Sequence, residues 1–153
     1  MAANRIAVKS PIGPLTIIEL DGKIAALDYG SAGRDSPTPL LVAAAHQLDA
    51  YFYCSLKKFD LPLAPAGTAF QQSVWEGMRR IPYGRTCSYA DMARELDSGP
   101  RAIGGACARN PIPIIIPCHR VLASGHRIGG YGSPGGLDTK RFLLQLEGVR
   151  LAA

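Results

Sequence analysis

Cys118 and His119 stand side by side behind an apolar run, PIPIIIP, and Glu147 follows near the end of the chain. A thiol, an imidazole and a carboxylate are the parts of an activated nucleophile: the sulfur attacks, the imidazole takes its proton, and the carboxylate orients the ring. The base is needed because a free thiol, with a pKa of about 8.5, is only a few per cent thiolate at neutral pH. In an extended segment, neighbouring side chains point to opposite sides. His119 then reaches Cys118 only through a water or a bent backbone. A cysteine behind a buried strand also serves simply as packing, and the dipeptide alone leaves both readings open. Cys54, Cys87 and Cys107 form no C-x-x-C pair and no zinc spacing, and are expected as free packing thiols.

The elements that must hold these groups fall into two parts. Residues 1–67 read as three short strands, RIAVKS, GPLTIIEL and KIAALDYG, with Asp21-Gly22 as a two-residue hairpin turn. A helix follows, with Leu41, Ala44, Ala45, Leu48 and Phe52 on one face and His46 as a surface or packing residue. KKFDLPLAPAG carries no period and reads as the linker, which sets the boundary at residue 67. Residues 68–153 open with a helix whose Thr68 and Gln71 stand in capping-box spacing and whose apolar face is Phe70, Val74, Trp75 and Met78. Ser88 caps a second helix, Pro100 starts a third, and the pair makes a helix-turn-helix. A strand over IPIIIP, a Gly-rich loop and a last helix complete the part. The fold class is α/β (α+β): a small three-stranded sheet with a helix, then a mainly helical domain with short active-site strands.

Charge separates the parts as well. Residues 1–67 carry six Lys/Arg and six Asp/Glu, whereas residues 68–153 carry eleven and six, so the whole excess of +5 lies in the second part. A basic excess on one domain points to a polyanion, nucleic acid first, or to nothing more than a basic surface. The third helix is rich in Ala102, Gly104, Gly105 and Ala106. Each glycine costs about 1 kcal/mol of helix stability relative to alanine. Such small residues suit either close helix packing or entry into a narrow minor groove, about 6 Å wide. Arg101 opposes the helix dipole at that N-terminus, and inserted into a duplex it could fill the space of a displaced base. No apolar run approaches the ~20 residues of a membrane span, and MAANRIAVKS has no signal-peptide h-region, so the expected compartment is the cytoplasm, with no membrane contact.

The chain then resembles a known family. IPCHRV looks like the active-site signature of the O6-alkylguanine-DNA alkyltransferases, the methylated-DNA–protein-cysteine methyltransferases. FQQSVWEGMRRIPYGRTCSYADMA, RAIGGACARNPIPIIIPCHRV and GGLDTKRFLLQLEG follow in family order over residues 68–153, and residues 1–67 are similar to the family's variable first domain. The resemblance implies single-turnover DNA repair: an alkyl group passes from O6-alkylguanine in duplex DNA, with O4-alkylthymine as a further candidate, to Cys118. It implies His119 as base through a water, Glu147 holding the imidazole, and Tyr89 contacting the flipped phosphate and aiding the leaving guanine. Asn110 would tie the reading helix to the active-site strand, or is simply a helix C-cap, and Tyr89 is alternatively a core aromatic. Arg101 would fill the gap left by the flipped base. Ala102, Gly104, Gly105, Arg109 and Arg120 would face DNA through the minor groove, and Tyr131 or Ser133 would sit in the loop over the base. No cofactor and no metal are implied, and a monomer is expected. The turn before Arg101 is shorter, and the loop GGYGSPGGL longer, than is usual in the family. A lesion sensor that flips bases without transfer, and a sequence-selective minor-groove regulator, are the competing readings; the cysteine argues against the first and the small-residue helix against the second.

Overall fold

A computed structural model describes residues 3–130 and 135–151. The chain divides into two compact units, Met1–Ala66 and Gly67–Ala153. The first unit is a meander of β1 (Ala3–Val8), β2 (Leu15–Leu20) and β3 (Lys23–Tyr29), antiparallel in the order β1-β2-β3, followed by α1 (Pro39–Phe52). Asp21 and Gly22 both take positive φ, 51° and 77°, which gives their two-residue turn the twist that the flanking strands require. Thr38 caps α1 by accepting from the Leu41 N–H at 3.1 Å. The helix buries Leu41, Ala44, Leu48 and Tyr51. Tyr51 thus takes the place expected for Phe52, which is half-buried, as is Ala45. The Tyr51 ring is drawn in by Phe59, 5.5 Å away between centroids.

Part of the segment expected as a patternless linker belongs to the sheet. Ile24 donates to the Pro62 carbonyl and Ala64 donates to the Ile24 carbonyl, each at 2.8 Å, so residues 62–64 cover the free edge of β3.

The second unit contains α2 (Ala69–Arg79), β4 (Cys87–Ser88), α3 (Tyr89–Glu95), α4 (Pro100–Ala108), β5 (Val121–Leu122) and α5 (Gly136–Leu146). The capping box at Thr68 and Gln71 is complete, with both reciprocal hydrogen bonds made. Ser88 caps α3 by accepting from the Asp91 N–H. Val74, Trp75 and Met78 form the buried face of α2, whereas Phe70, expected among them, is 37% exposed. β4 and β5 pair in parallel, Cys87 beside Val121 and Ser88 beside Leu122. That pairing starts α3, and with it Tyr89, next to the segment that follows Cys118.

The strand expected over 112–117 is absent. Ile112, Ile114 and Ile116 are buried as expected of an apolar run, but the backbone turns. Ile116 donates to the Ile112 carbonyl at 2.9 Å, and Ile114 takes a φ of 75°, rare for a β-branched residue. Pro111, Pro113 and Pro117 have no N–H to give a ladder, so burial here is achieved by a compact turn. Two of the expected packing thiols are only half-buried, Cys87 and Cys107, and Cys54 is exposed. Among the described residues no helix is long and apolar enough to cross a membrane.

Candidate active site

Cys118 begins a single 3-10 turn, Cys118–Arg120, directly behind Pro117. Its N–H donates to the Ile116 carbonyl at 2.8 Å. The backbone is therefore bent at the dipeptide, and the opposite-sides rule of a strand does not separate thiol from imidazole. Cys118 is 7% exposed and His119 is fully buried.

Glu147, the residue that closes α5, gathers the site. Its Oε2 lies 2.7 Å from His119 Nε2. Arg120 donates to it twice, Nε to Oε1 at 2.9 Å and Nη2 to Oε2 at 3.1 Å, and the Gly84 N–H donates to Oε1 at 3.2 Å. Burial alone would raise this carboxyl, but the hydrogen bond from His119, the hydrogen bonds and charge of Arg120, and the charge His119 takes up when protonated prevail and hold it at about 2. It is a carboxylate at neutral pH, so it accepts, and His119 Nε2 carries the proton it accepts. Burial pushes the His119 pKa below its ordinary value despite the carboxylate beside it. The ring is thus neutral, with its lone pair on Nδ1. That atom is buried and has no hydrogen-bond partner among the described residues. A bare basic nitrogen costs free energy unless a ligand or water uses it.

Arg120 does not fit the DNA-facing role expected for it. It is 7% exposed, is held bidentately by Glu147, and gives Nη1 to the Ile81 carbonyl at 2.7 Å. Its guanidinium lies over the Tyr83 ring. The sequence shows the charge of this arginine but not the carboxylate 27 positions later that takes it inward.

Lys140 is the residue that sequence reasoning missed. It is fully buried on α5, and its Nζ donates to the Val121 carbonyl at 2.7 Å and the Gly130 carbonyl at 3.0 Å. Burial lowers its pKa to about 8, and negative charge on the Cys118 or Cys107 sulfur, where it forms, pulls the other way. The signal was available: Lys140, Leu143, Leu144 and Glu147 fall at i, i+3, i+4 and i+7, so two charged residues lie on the buried stripe of an amphipathic helix.

Tyr89 stands across from this lysine, whose Nζ is 5.6 Å from the ring centroid. The phenol reaches the Gly130 carbonyl at 3.5 Å, and a Cβ at Gly129 would meet the ring at 3.1 Å. Burial raises the phenol to about 12, with further upward pressure from thiolates at Cys107 and Cys118. Asn110 follows the end of α4. Its Nδ2 donates to the Ile116 carbonyl at 2.8 Å, and its Oδ1 accepts from the Ile112 N–H at 3.0 Å. It thus fastens the helix to the turn that leads into Cys118.

Arg101, Ala102, Gly105 and Arg109 are exposed along α4, and Gly104 is half-buried. A Cβ built on Gly104 or Gly105 would meet nothing within 4 Å. Close helix packing therefore does not account for these glycines. Tyr131 and Ser133 lie outside the described residues. Among the described residues no group of His, Cys, Asp and Glu could hold a metal ion.

Two family models match the chain: the DNA-binding domain of 6-O-methylguanine DNA methyltransferase over residues 69–149, and the ribonuclease-like domain of the same enzyme over residues 5–65. A methylated-DNA–protein-cysteine methyltransferase of Methanosarcina acetivorans is 41% identical over 150 residues, covering 92% of this chain and 95% of its own length. The protein of that name from Mycobacterium tuberculosis is 41% identical over 155 residues, covering 95% of this chain and 93% of its own. The crystal structure of M. tuberculosis OGT in complex with DNA superposes with a TM-score of 0.84 at 40% identity, covering 95% of this chain and 93% of that one.

Proposed function

The chain belongs to the 6-O-methylguanine DNA methyltransferase family, and from that premise we propose that Cys118 is the atom-for-atom acceptor in its direct repair of alkylated DNA, with His119 as the base. The activity of the family is transfer of an alkyl group from DNA to a protein cysteine. The observation that carries the residue assignment is the His119 ring: Nε2 fixed by Glu147 and Nδ1 bare, buried and one residue from a thiol.

A water at Nδ1 passes the Cys118 proton to the imidazole, and the ring becomes an imidazolium beside the Glu147 carboxylate. The thiolate attacks the O6-bound carbon; an S–C bond forms and the C–O6 bond breaks, its electron pair leaving with the guanine. The buried Lys140 ammonium, still largely protonated at neutral pH, favours negative charge on the sulfur. Tyr89, a phenol at about 12, stays protonated and donates a hydrogen bond to the departing base. A thioether is a poor leaving group, so nothing restores the thiol and each molecule acts once.

O6 is inaccessible inside a stacked duplex, so the base must be rotated out, at a cost of a few kcal/mol. The open small-residue face of α4 suits the narrow minor groove, Arg101 fills the vacated stack, and Arg109 contacts phosphate. The protein acts on double-stranded DNA as a monomer in the cytoplasm, where its four free thiols stay reduced. Asn110 positions α4 against the nucleophile. Incubation with a duplex carrying O6-methylguanine should add one methyl, mapped to Cys118 by peptide mass, and Cys118→Ala should accept none. Methylation at another cysteine would reject the assignment.

A further inference from the structure

The helix proposed to enter DNA is poorly equipped to hold itself together. α4 has nine residues, two of them interior glycines that each cost about 1 kcal/mol relative to alanine. Its N-cap, Gly99, makes no side-chain capping bond. At the other end the last turn tightens: Arg109 and Asn110 donate to Ala106 and Cys107, three residues back, each at a long 3.2 Å.

Help comes from α2. Trp75, 1% exposed, donates its indole N–H to the Ala106 carbonyl at 2.8 Å. One turn along the same face, Met78 Sδ lies 3.6 Å from Cys107 Sγ. The indole is itself seated by Gly67, where a Cβ would lie inside van der Waals contact of the ring.

We infer that Trp75 is a positioning residue for the DNA-reading helix: its N–H closes the C-terminal end of α4 and so sets the fraction of molecules whose Arg101-bearing helix is ready to dock. This rests on the reading of α4 as the helix that binds DNA. An apparent affinity is reduced by the fraction of molecules in the competent state. The bond therefore acts chiefly on the duplex concentration that half-saturates repair: Trp75 makes no described hydrogen bond to Cys118, His119, Glu147 or Tyr89, and the turn before Cys118 keeps its own two bonds to Asn110.

The experiment is single-turnover methyl transfer with the concentration of O6-methylguanine duplex varied, for the intact chain and for Trp75→Phe, Gly67→Ala and Arg101→Ala. Trp75→Phe keeps a ring and removes the N–H. It should raise the half-saturating duplex concentration by up to about fivefold, the ceiling set by one lost buried hydrogen bond, with the saturating rate nearly unchanged. Gly67→Ala, which pushes on the indole from its other side, should move the same parameter in the same direction, and it carries the test should Trp75→Phe fail to fold. An unchanged half-saturation, or an equal loss in both parameters, overturns the inference while leaving the reading intact, provided that Arg101→Ala weakens half-saturation. If Arg101→Ala does not weaken it either, the reading of α4 itself fails.

Discussion

Glu147 and α4 lie in the same unit, and their surroundings could hardly differ more. The carboxylate accepts from an imidazole, from two nitrogens of a guanidinium and from a backbone N–H, all in a buried site. Along α4 the glycines face open space, the N-cap side chain is missing, and support reaches the helix from another element. Proton transfer requires a defined tautomer, and a tautomer is defined by satisfied neighbours. Groove entry requires a thin, unobstructed surface, and a thin surface has little of its own to pack. Two arginines of the DNA-facing set expected from the sequence show the contrast in one residue type: Arg120 is a strut of the first region, while Arg101 is exposed at the surface of the second.

The comparison is most easily broken at Arg120. Arg120→Ala leaves the Glu147 carboxylate buried without its main partner, and the unfolding free energy should fall by about 3–5 kcal/mol in a denaturant titration; a loss near zero would mean that the network is not the strut described. Acid should act on the same region. The Glu147 carboxyl is held at about 2, below its ordinary 4.5, so its contribution is complete above about pH 4.5 and is lost as pH falls toward 2. His119 adds a loss that begins as pH drops below 6.5, because the unfolded ring takes a proton that the buried ring resists. Denaturant midpoints should therefore decline steadily from pH 7 to pH 3, and less so in Arg120→Ala, where one of the interactions depressing the carboxyl is gone. Lys140→Met keeps the shape and removes the charge. Single-turnover transfer at saturating duplex should slow about tenfold, the equivalent of about 1.4 kcal/mol of lost thiolate stabilisation. The smallest effect is expected on α4 and has the opposite sign for stability: Gly105→Ala has room for its methyl and should gain up to about 1 kcal/mol of stability, while duplex binding weakens because that methyl stands between helix and groove.

What could be read from the sequence was what depends on near neighbours. The Thr68–Gln71 box, the Ser88 cap and the Asp21-Gly22 turn are settled within four residues, and all three are present. The meander and the helical second part follow from apolar periodicity and the short turns between them. The apolar run at 112–117 misled because isoleucine favours strands and burial alike; its prolines, which deny the ladder its donors, decided the matter. Phe70 fell on the expected face but at the first turn of α2, where the core has not yet closed over it. Arg120 and Lys140 were opaque for another reason. Their partners lie 27 and 19 residues away, at Glu147 and Val121, and no local pattern announces which charge will be drawn inside. Residue types and the family resemblance point to Cys118, His119 and Glu147; the His119–Glu147 contact is a product of the fold.

At the centre of the account is an uncharged His119 whose proton sits on Nε2 and whose Nδ1 is free to receive the one from Cys118. Nitrogen-15 NMR of the imidazole in the unmodified protein, followed from pH 8 down to pH 5.5, reads this directly. One protonated and one bare ring nitrogen, with Nε2 the protonated one, are expected at pH 7 and above, and the ring should take up its second proton only below the ordinary 6.5. A ring that carries both protons at pH 7, or one whose proton resides on Nδ1, would contradict it.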